Sequence, residues 1–264
     1  MSNKDIIKDY IGGMSQRQVI KTHGGSYTSL KVLLNDNNIY IRNNSESKVK
    51  NNPTDELFFD EINTEEKAYI LGFLWADGYN NIKCSKIECS LAEQDKDILI
   101  KISLIIFGDD RVKQYNRDDT RQDRVSLVIF SERFCERLNG YGLNTLRNSK
   151  EGVPLCHIPD DIFHHFIRGL WDGDGSVYTP ADNQLSTQFI GSCKLCDHLH
   201  ERIQSVYDFS INIVDDKSYS FPMKRLNIHG NIRSRVFLDI IYRNATIYSD
   251  RKFSKYPLVV RCSH

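Results

Sequence analysis

Apolar positions along the chain fall into two periods that alternate in a fixed order. Over residues 1–42 they recur three and four apart in three short runs, DIIKDYI, MSQRQVIKTH and SYTSLKVLLNDN, which predicts three helices closed by Gly12-Gly13 and Gly24-Gly25. Ser15 and Ser26 stand where N-caps belong, and Ile6, Ile7, Tyr10, Val19, Ile20, Leu30, Leu33 and Leu34 give each helix an apolar stripe. Residues 43–60, NNSESKVKNNPTDELFFD, hold no sustained period and read as a linker, with Leu57, Phe58 and Phe59 docking onto the domain C-terminal to it.

From residue 61 onward the pattern occurs twice. AYILGFLWADGY and HFIRGLWDGDGS superpose with an offset of 97 residues, placing Gly72 on Gly169, Ala76 on Gly173, Asp77 on Asp174 and Gly78 on Gly175. Each is followed by an alternating stretch (KIECSLA; QLSTQFIGS), an amphipathic helix (DKDILIKISLIIF; KLCDHLHERIQSVY), two more strand-like runs (RVKQY and DRVSLVIF; INIVDD and MKRLNIH) and a last helix (ERFCERLNGYG; RSRVFLDIIY). The expected organisation is a helical unit 1–42, a linker 43–60, a first repeat 61–153 and a second repeat 154–264. Two such repeats predict an α+β fold with pseudo-twofold symmetry inside one chain.

The two Asp-Gly helices pose an electrostatic question. A carboxylate at a helix C-terminus meets the negative end of the macrodipole, and a glycine within a helix costs up to ~1 kcal/mol relative to alanine. Small residues four apart let two helix backbones approach closely. Gly72, Ala76, Gly169 and Gly173 are therefore expected to form a helix–helix interface, with Gly78 and Gly175 ending the helices in the left-handed conformation. That brings Asp77 and Asp174 side by side, an arrangement relieved by a hard divalent cation completed by phosphate oxygens and water. An Asp-Gly turn is ordinary when it occurs once; its recurrence in register is what carries the argument.

Composition limits the classes that need considering. The chain of 264 residues carries 35 basic and 35 acidic side chains, so bulk attraction to nucleic acid is not its signature. The charges are nevertheless segregated: residues 1–53 hold eight Lys or Arg against four acids, 54–66 hold six acids and no base, and 217–264 hold ten Lys or Arg against two acids. No apolar run is long enough to span a membrane, and MSNKDIIKDY has no signal-peptide core, so an intracellular protein is expected. Seven cysteines fit reduced thiols; CKLC at 193–196, with His200 on the same face, reads as a half-buried helix face in preference to a zinc site.

ILGFLWADG and IRGLWDGDG resemble the LAGLIDADG motif, and residues 61–264 resemble a single-chain, two-motif LAGLIDADG homing endonuclease. Motif 1 departs from the family pattern at Trp75, while the later acid of each motif is present. The resemblance implies αββαββα halves, a saddle of antiparallel strands over double-stranded DNA, and Mg²⁺- or Mn²⁺-dependent cleavage of both strands that leaves short 3′ overhangs. It implies Asp77 and Asp174 as catalytic metal ligands, the carbonyls of Ala76 and Gly173 as further metal contacts, and basic residues near the strand ends, for which Lys224 and Arg124 are the candidates. No obligate protein partner is expected, and a monomer suffices. The segment YIGGMSQRQVIKTHGGSYTSLKVLLNDNNIYIR resembles the helix-turn-helix of resolvase-type proteins.

In that helix-turn-helix, Tyr27, Thr28, Ser29 and Lys31 would face the major groove and Arg17 and Lys21 the phosphates. On the strands, period 2 puts Arg111, Lys113, Tyr115 and Arg117 on one face, Ser186 and Gln188 on another, and Arg225 and Asn227 opposite Leu226 and Ile228. Two alternatives use the same fold: a DNA-binding transcription regulator that does not cleave, and an RNA-binding intron maturase.

Overall fold

The structure, a computed structural model, describes residues 2–42, 55–115, 123–143, 157–180 and 183–255. The N-terminal unit is three helices, α1 (Asn3–Gly12), α2 (Gln16–His23) and α3 (Tyr27–Asp36). Ser15 accepts from the Gln18 amide and Ser26 from the Ser29 amide, so both predicted caps form. Tyr10, Val19, Leu30 and Leu34 make a core of their own, with Ile6, Met14, Ile20, Ile39 and Ile41 around it. Arg42 closes this unit, its guanidinium 4.3 Å over the Tyr10 ring and donating to the carbonyls of Tyr10 and Met14.

The remainder is α+β, as expected, and the two halves repeat one order of elements. The first runs α4 (Glu65–Asp77), β1 (Gly78–Asn81), β2 (Lys86–Ala92), α5 (Lys96–Phe107), β3 (Lys113–Tyr115), β4 (Arg124–Phe130) and α6 (Glu132–Gly140). The second runs α7 (Phe163–Gly173), β5 (Ser176–Tyr178), β6 (Ser186–Ser192), α8 (Cys193–Tyr207), β7 (Asn212–Asp215), β8 (Met223–His229) and α9 (Asn231–Ile241), followed by a short α10 (Asp250–Phe253). Each half holds a four-stranded antiparallel sheet, in the orders β1-β2-β4-β3 and β5-β6-β8-β7. Ile87, Cys89, Val125, Leu127 and Ile129 of the first sheet, with Phe189, Leu226 and Ile228 of the second, bury one face under the helices in a single core that joins both halves. The alternating partners of these residues leave the opposite face of each sheet outward. Phe58 and Phe59 dock onto Phe134 as expected, whereas Leu57 is exposed.

Helices α4 and α7 meet backbone to backbone. A Cβ on Gly72 would stand 2.2 Å from the Phe166 carbonyl oxygen, and one on Gly169 would stand 2.1 Å from that of Tyr69. The predicted small-residue interface is therefore present at Gly72, Ala76, Gly169 and Gly173. The predicted helix endings are not. Gly78 sits at φ −81°, ψ 147°, so the chain passes from α4 straight into β1, and Gly175 is absent from the positive-φ residues. Glycine is needed at both points for room: a Cβ at Gly78 would stand 2.4 Å from the Leu74 oxygen, and one at Gly175 would stand 2.7 Å from the Trp171 ring.

The tail after α9 returns to the seam between the halves. Glu65 at the start of α4 accepts from Arg168 of α7 at 2.6 Å and from the backbone amides of Thr246 and Ile247. Asp250 and Arg251 of α10 pair with Lys101 and Asp95 of the first half, both at 2.6 Å. No helix among the described residues is long and apolar enough to cross a membrane.

Candidate functional site

Asp77 is the last residue of α4 and Asp174 the C-cap of α7. Because the helices touch at their glycines, their tips arrive together. Asp77 Oδ2 lies 2.9 Å from the point where a Cβ on Gly173 would stand, so the acid of one helix overhangs the residue that precedes the acid of the other. A cavity of about 100 Å³ opens beside Asp77, lined also by Asp95, Asp172, Gly173, Ser249 and Arg251, with room for a few water molecules.

The residue that organises these tips is Lys252, on the returning tail. Its Nζ donates to the carbonyls of Trp171, Gly173 and Gly175, at 2.8, 2.6 and 2.7 Å. These oxygens lie at the C-terminal end of α7, where the helix dipole attracts cations, and that of Trp171 also accepts from the Gly175 amide. Burial pulls the Lys252 ammonium down to about 8, while Asp172, Asp77 and Asp174 all act to hold its proton on. The three carbonyl acceptors further favour the charged form. Sequence reasoning missed Lys252. Its neighbour Asp172 is fully buried, which pushes its carboxyl up, yet it accepts from Tyr69 and Tyr242 hydroxyls at 2.7 Å and from the Ser249 amide at 2.8 Å. Both tyrosines are held well above their ordinary range by burial, so they remain donors to this carboxyl.

The donor set here is two carboxylates and no nitrogen or sulfur. No group of three or more His, Cys, Asp or Glu that could hold a metal exists among the described residues, and this includes the CKLC face. Two carboxylates fit a hard ion that keeps water and phosphate oxygens as its other ligands, and do not fit a closed structural zinc site. The Gly173 carbonyl, expected as a further metal contact, accepts from Lys252 Nζ at 2.6 Å, which leaves it one lone pair. Ala76 meets Gly173 through its methyl group.

Lys224 shares the helix-facing side of β8 with Leu226 and Ile228, and Asp197 at the start of α8 holds its ammonium at 2.5 Å. Arg124 lies on the outward face, in register with Ala92 and Tyr115. Lys113 and Tyr115 share that face, whereas Arg111 precedes β3 and folds back, paired with Asp109 at 2.7 Å and lying over the Phe107 ring. Arg117 lies outside the described residues. In the second sheet Gln188 and Asn227 point outward in register. Arg225 shares their face but is bound by Asp216, whose carboxyl is drawn down to about 2 by Ser218 and then by Arg225. Ser186 is buried, its hydroxyl 2.8 Å from His229 Nδ1. On the N-terminal unit Arg17, Lys21, Tyr27, Thr28 and Lys31 are exposed. Ser29 is exposed too, but its hydroxyl is engaged with Ser26.

No protein-family profile matches the sequence. An uncharacterized protein of Methanocaldococcus jannaschii is 28% identical over 155 residues, 56% of this chain and 54% of its own, so the chain spans about half the length of that relative. Among solved structures, full-length DUF199/WhiA from Thermatoga maritima is similar with a TM-score of 0.48 and 17% identity, covering 78% of this chain and 65% of that one. The LAGLIDADG homing endonuclease I-LtrWI bound to target DNA is similar with a TM-score of 0.48 and 12% identity, covering 75% of this chain and 90% of that one. I-GzeII, another LAGLIDADG homing endonuclease in complex with DNA target, has a TM-score of 0.49 at 12% identity, covering 74% and 88%.

Proposed function

We propose that the chain is a site-specific endonuclease that binds double-stranded DNA across its two sheets and hydrolyses one phosphodiester in each strand beside the acid-tipped helices. The observation that carries this reading is the meeting of Asp77 with the Gly173–Asp174 corner, two acids set by glycine packing against each other and against two helix dipoles. Asp77 and Asp174 would hold Mg²⁺ or Mn²⁺ between the protein and the scissile phosphates. When bound, such an ion supplies charge neutralisation at the phosphate and a more acidic water. Lys252 ties down the carbonyls at the end of α7 and so fixes where Asp174 points. The outward faces of the sheets, with Lys113, Tyr115, Arg124, Gln188 and Asn227, bind the duplex on either side, and the N-terminal helices add a second contact through Arg17, Lys21 and Lys31. One chain supplies both halves, so a monomer suffices.

A pool of DNA targets incubated with Mg²⁺, with and without EDTA, tests this. Cleavage that EDTA stops, that Asp174→Asn abolishes, and that leaves binding intact is the expected result. Normal double-strand cleavage by Asp174→Asn removes that residue from the mechanism. A second reading, a DNA-binding protein that does not cut, draws support from Lys252, which already places a cation beside both acids. Tight binding without cleavage under any divalent ion would decide for it.

A further inference from the structure

The cavity beside Asp77 approaches that acid from the helix side of the first sheet. Its one sheet residue is Leu91, whose register partner Val125 is buried in the core under the helices. Phe73 of α4 and Ile98 of α5 line it as well, so it lies between the sheet and its helices. The alternate residues, among them Ala92 and Arg124, occupy the opposite, outward face. Asp172 and Ser249 are buried within the cavity, whereas Arg251 is exposed and Asp95 half-buried, which puts its mouth at these last two.

Arg251 closes that mouth. Its guanidinium donates to both carboxylate oxygens of Asp95, at 2.6 and 3.1 Å. The backbone on either side is pinned: the Asp250 amide donates to Asp97 and its carboxylate accepts from Lys101, while Lys252 is bound to three carbonyls. The Arg251 side chain can therefore swing away without undocking the tail. An exposed ion pair of this kind is weak, and exposed side chains change rotamer rapidly. Inside, the carboxyl groups of Asp77, Asp95 and Asp172 stand against this single guanidinium, a balance that favours entry of cations over anions.

We propose that this cavity is a rear entrance to the acid tips: with a duplex covering the sheets, divalent cations and their water reach Asp77 through it, and the Asp95–Arg251 pair is its gate. This rests on the metal-dependent reading above, in which the duplex closes the other approach. The test follows Mn²⁺ by stopped-flow quenching of the two tryptophans, Trp75 and Trp171, which lie in the two tip helices. Arg251→Cys removes the gate; a bulky methanethiosulfonate reagent on that thiol plugs the mouth, and dithiothreitol takes the plug out. Wild type treated in the same way controls for the exposed Cys84. Each form is mixed with Mn²⁺ both free and in complex with a duplex selected in the absence of metal. In the complex the plug should slow uptake about ten-fold and dithiothreitol should restore it, while in the free protein, open from the sheet side, the plug should change the rate by less than about two-fold. The same pattern is expected for a plug at Asp95→Cys, on the other side of the mouth. Equal rates with and without the plug in the complex overturn the inference. So does a plug that slows the free protein as much, since it would then be disturbing the acids themselves. Wild type that takes up no Mn²⁺, free or duplex-bound, overturns the metal reading instead.

Discussion

At the scale of single residues, buried charge does two separable jobs. Lys252 donates to three carbonyls at one helix end, so Lys252→Met would take the buried ammonium from the Gly173 and Gly175 oxygens, while the Trp171 oxygen keeps the Gly175 amide. A loss of about 2–4 kcal/mol in urea unfolding at neutral pH is expected, more than a surface lysine contributes. A loss under 1 kcal/mol would mean the tail docks without it. His165 works at the other end of α7. Its Nδ1 faces Arg168 Nη1 at 2.7 Å, and burial followed by the Arg168 charge holds it down to about 3 from 6.5, with His164 shifted in the same direction. It is neutral when folded, so as pH falls the unfolded chain takes up the proton first. The stability is present above about 6.5 and is lost between there and about 3, by up to ~1.4 kcal/mol per pH unit. His165→Gln keeps an acceptor for Arg168 and should flatten the fall measured by urea unfolding between pH 6 and 4; an unchanged slope would place the proton uptake elsewhere.

At the scale of elements, the seam of α4 and α7 decides where the acids stand, and it tolerates no added atom. Gly169→Ala drives a methyl into the Tyr69 carbonyl and should cost about 3 kcal/mol or more in thermal or urea unfolding. Gly140→Ala, with open space around it and an ordinary φ, is the control and should be neutral or slightly stabilising. Equal effects would mean the helices part without cost. This seam was legible because small residues four apart leave a mark in side-chain identity, and the longer strands because their alternation is clear. The reason for Gly78 and Gly175 was misread, since a glycine demanded by a close neighbour looks the same in sequence as one demanded by a left-handed turn. β1 and β5 are too short to show a period. Lys252 was invisible for another reason: its partners are carbonyls, which carry no residue identity, and they lie some 80 positions away in the chain. Lys224 is the reverse case, since the alternation that put Arg225 and Asn227 outward already put Lys224 with Leu226 and Ile228 on the helix side.

At the scale of the whole molecule, the N-terminal unit has its own core and caps, so its removal leaves the core that joins the two repeats intact. Arg17, Lys21 and Lys31 are exposed on it, and phosphates neutralised by such side chains release counterions, which makes their contribution readable from salt dependence. Deleting residues 1–42 should therefore weaken DNA binding and reduce the slope of log affinity against log salt by about 2–3, close to one unit for each phosphate no longer neutralised. Cleavage at saturating protein should continue, because Asp77, Asp174 and Lys252 all lie outside the deleted segment. The triple change Arg17→Gln, Lys21→Gln, Lys31→Gln should lower the slope by the same amount with the helices still folded. If the deletion lowers affinity but leaves the slope untouched, the unit works through Tyr27 and Thr28 at base edges and not through phosphates. Should neither quantity change, the three helices are a cap on the protein and the duplex is held by the two sheets alone.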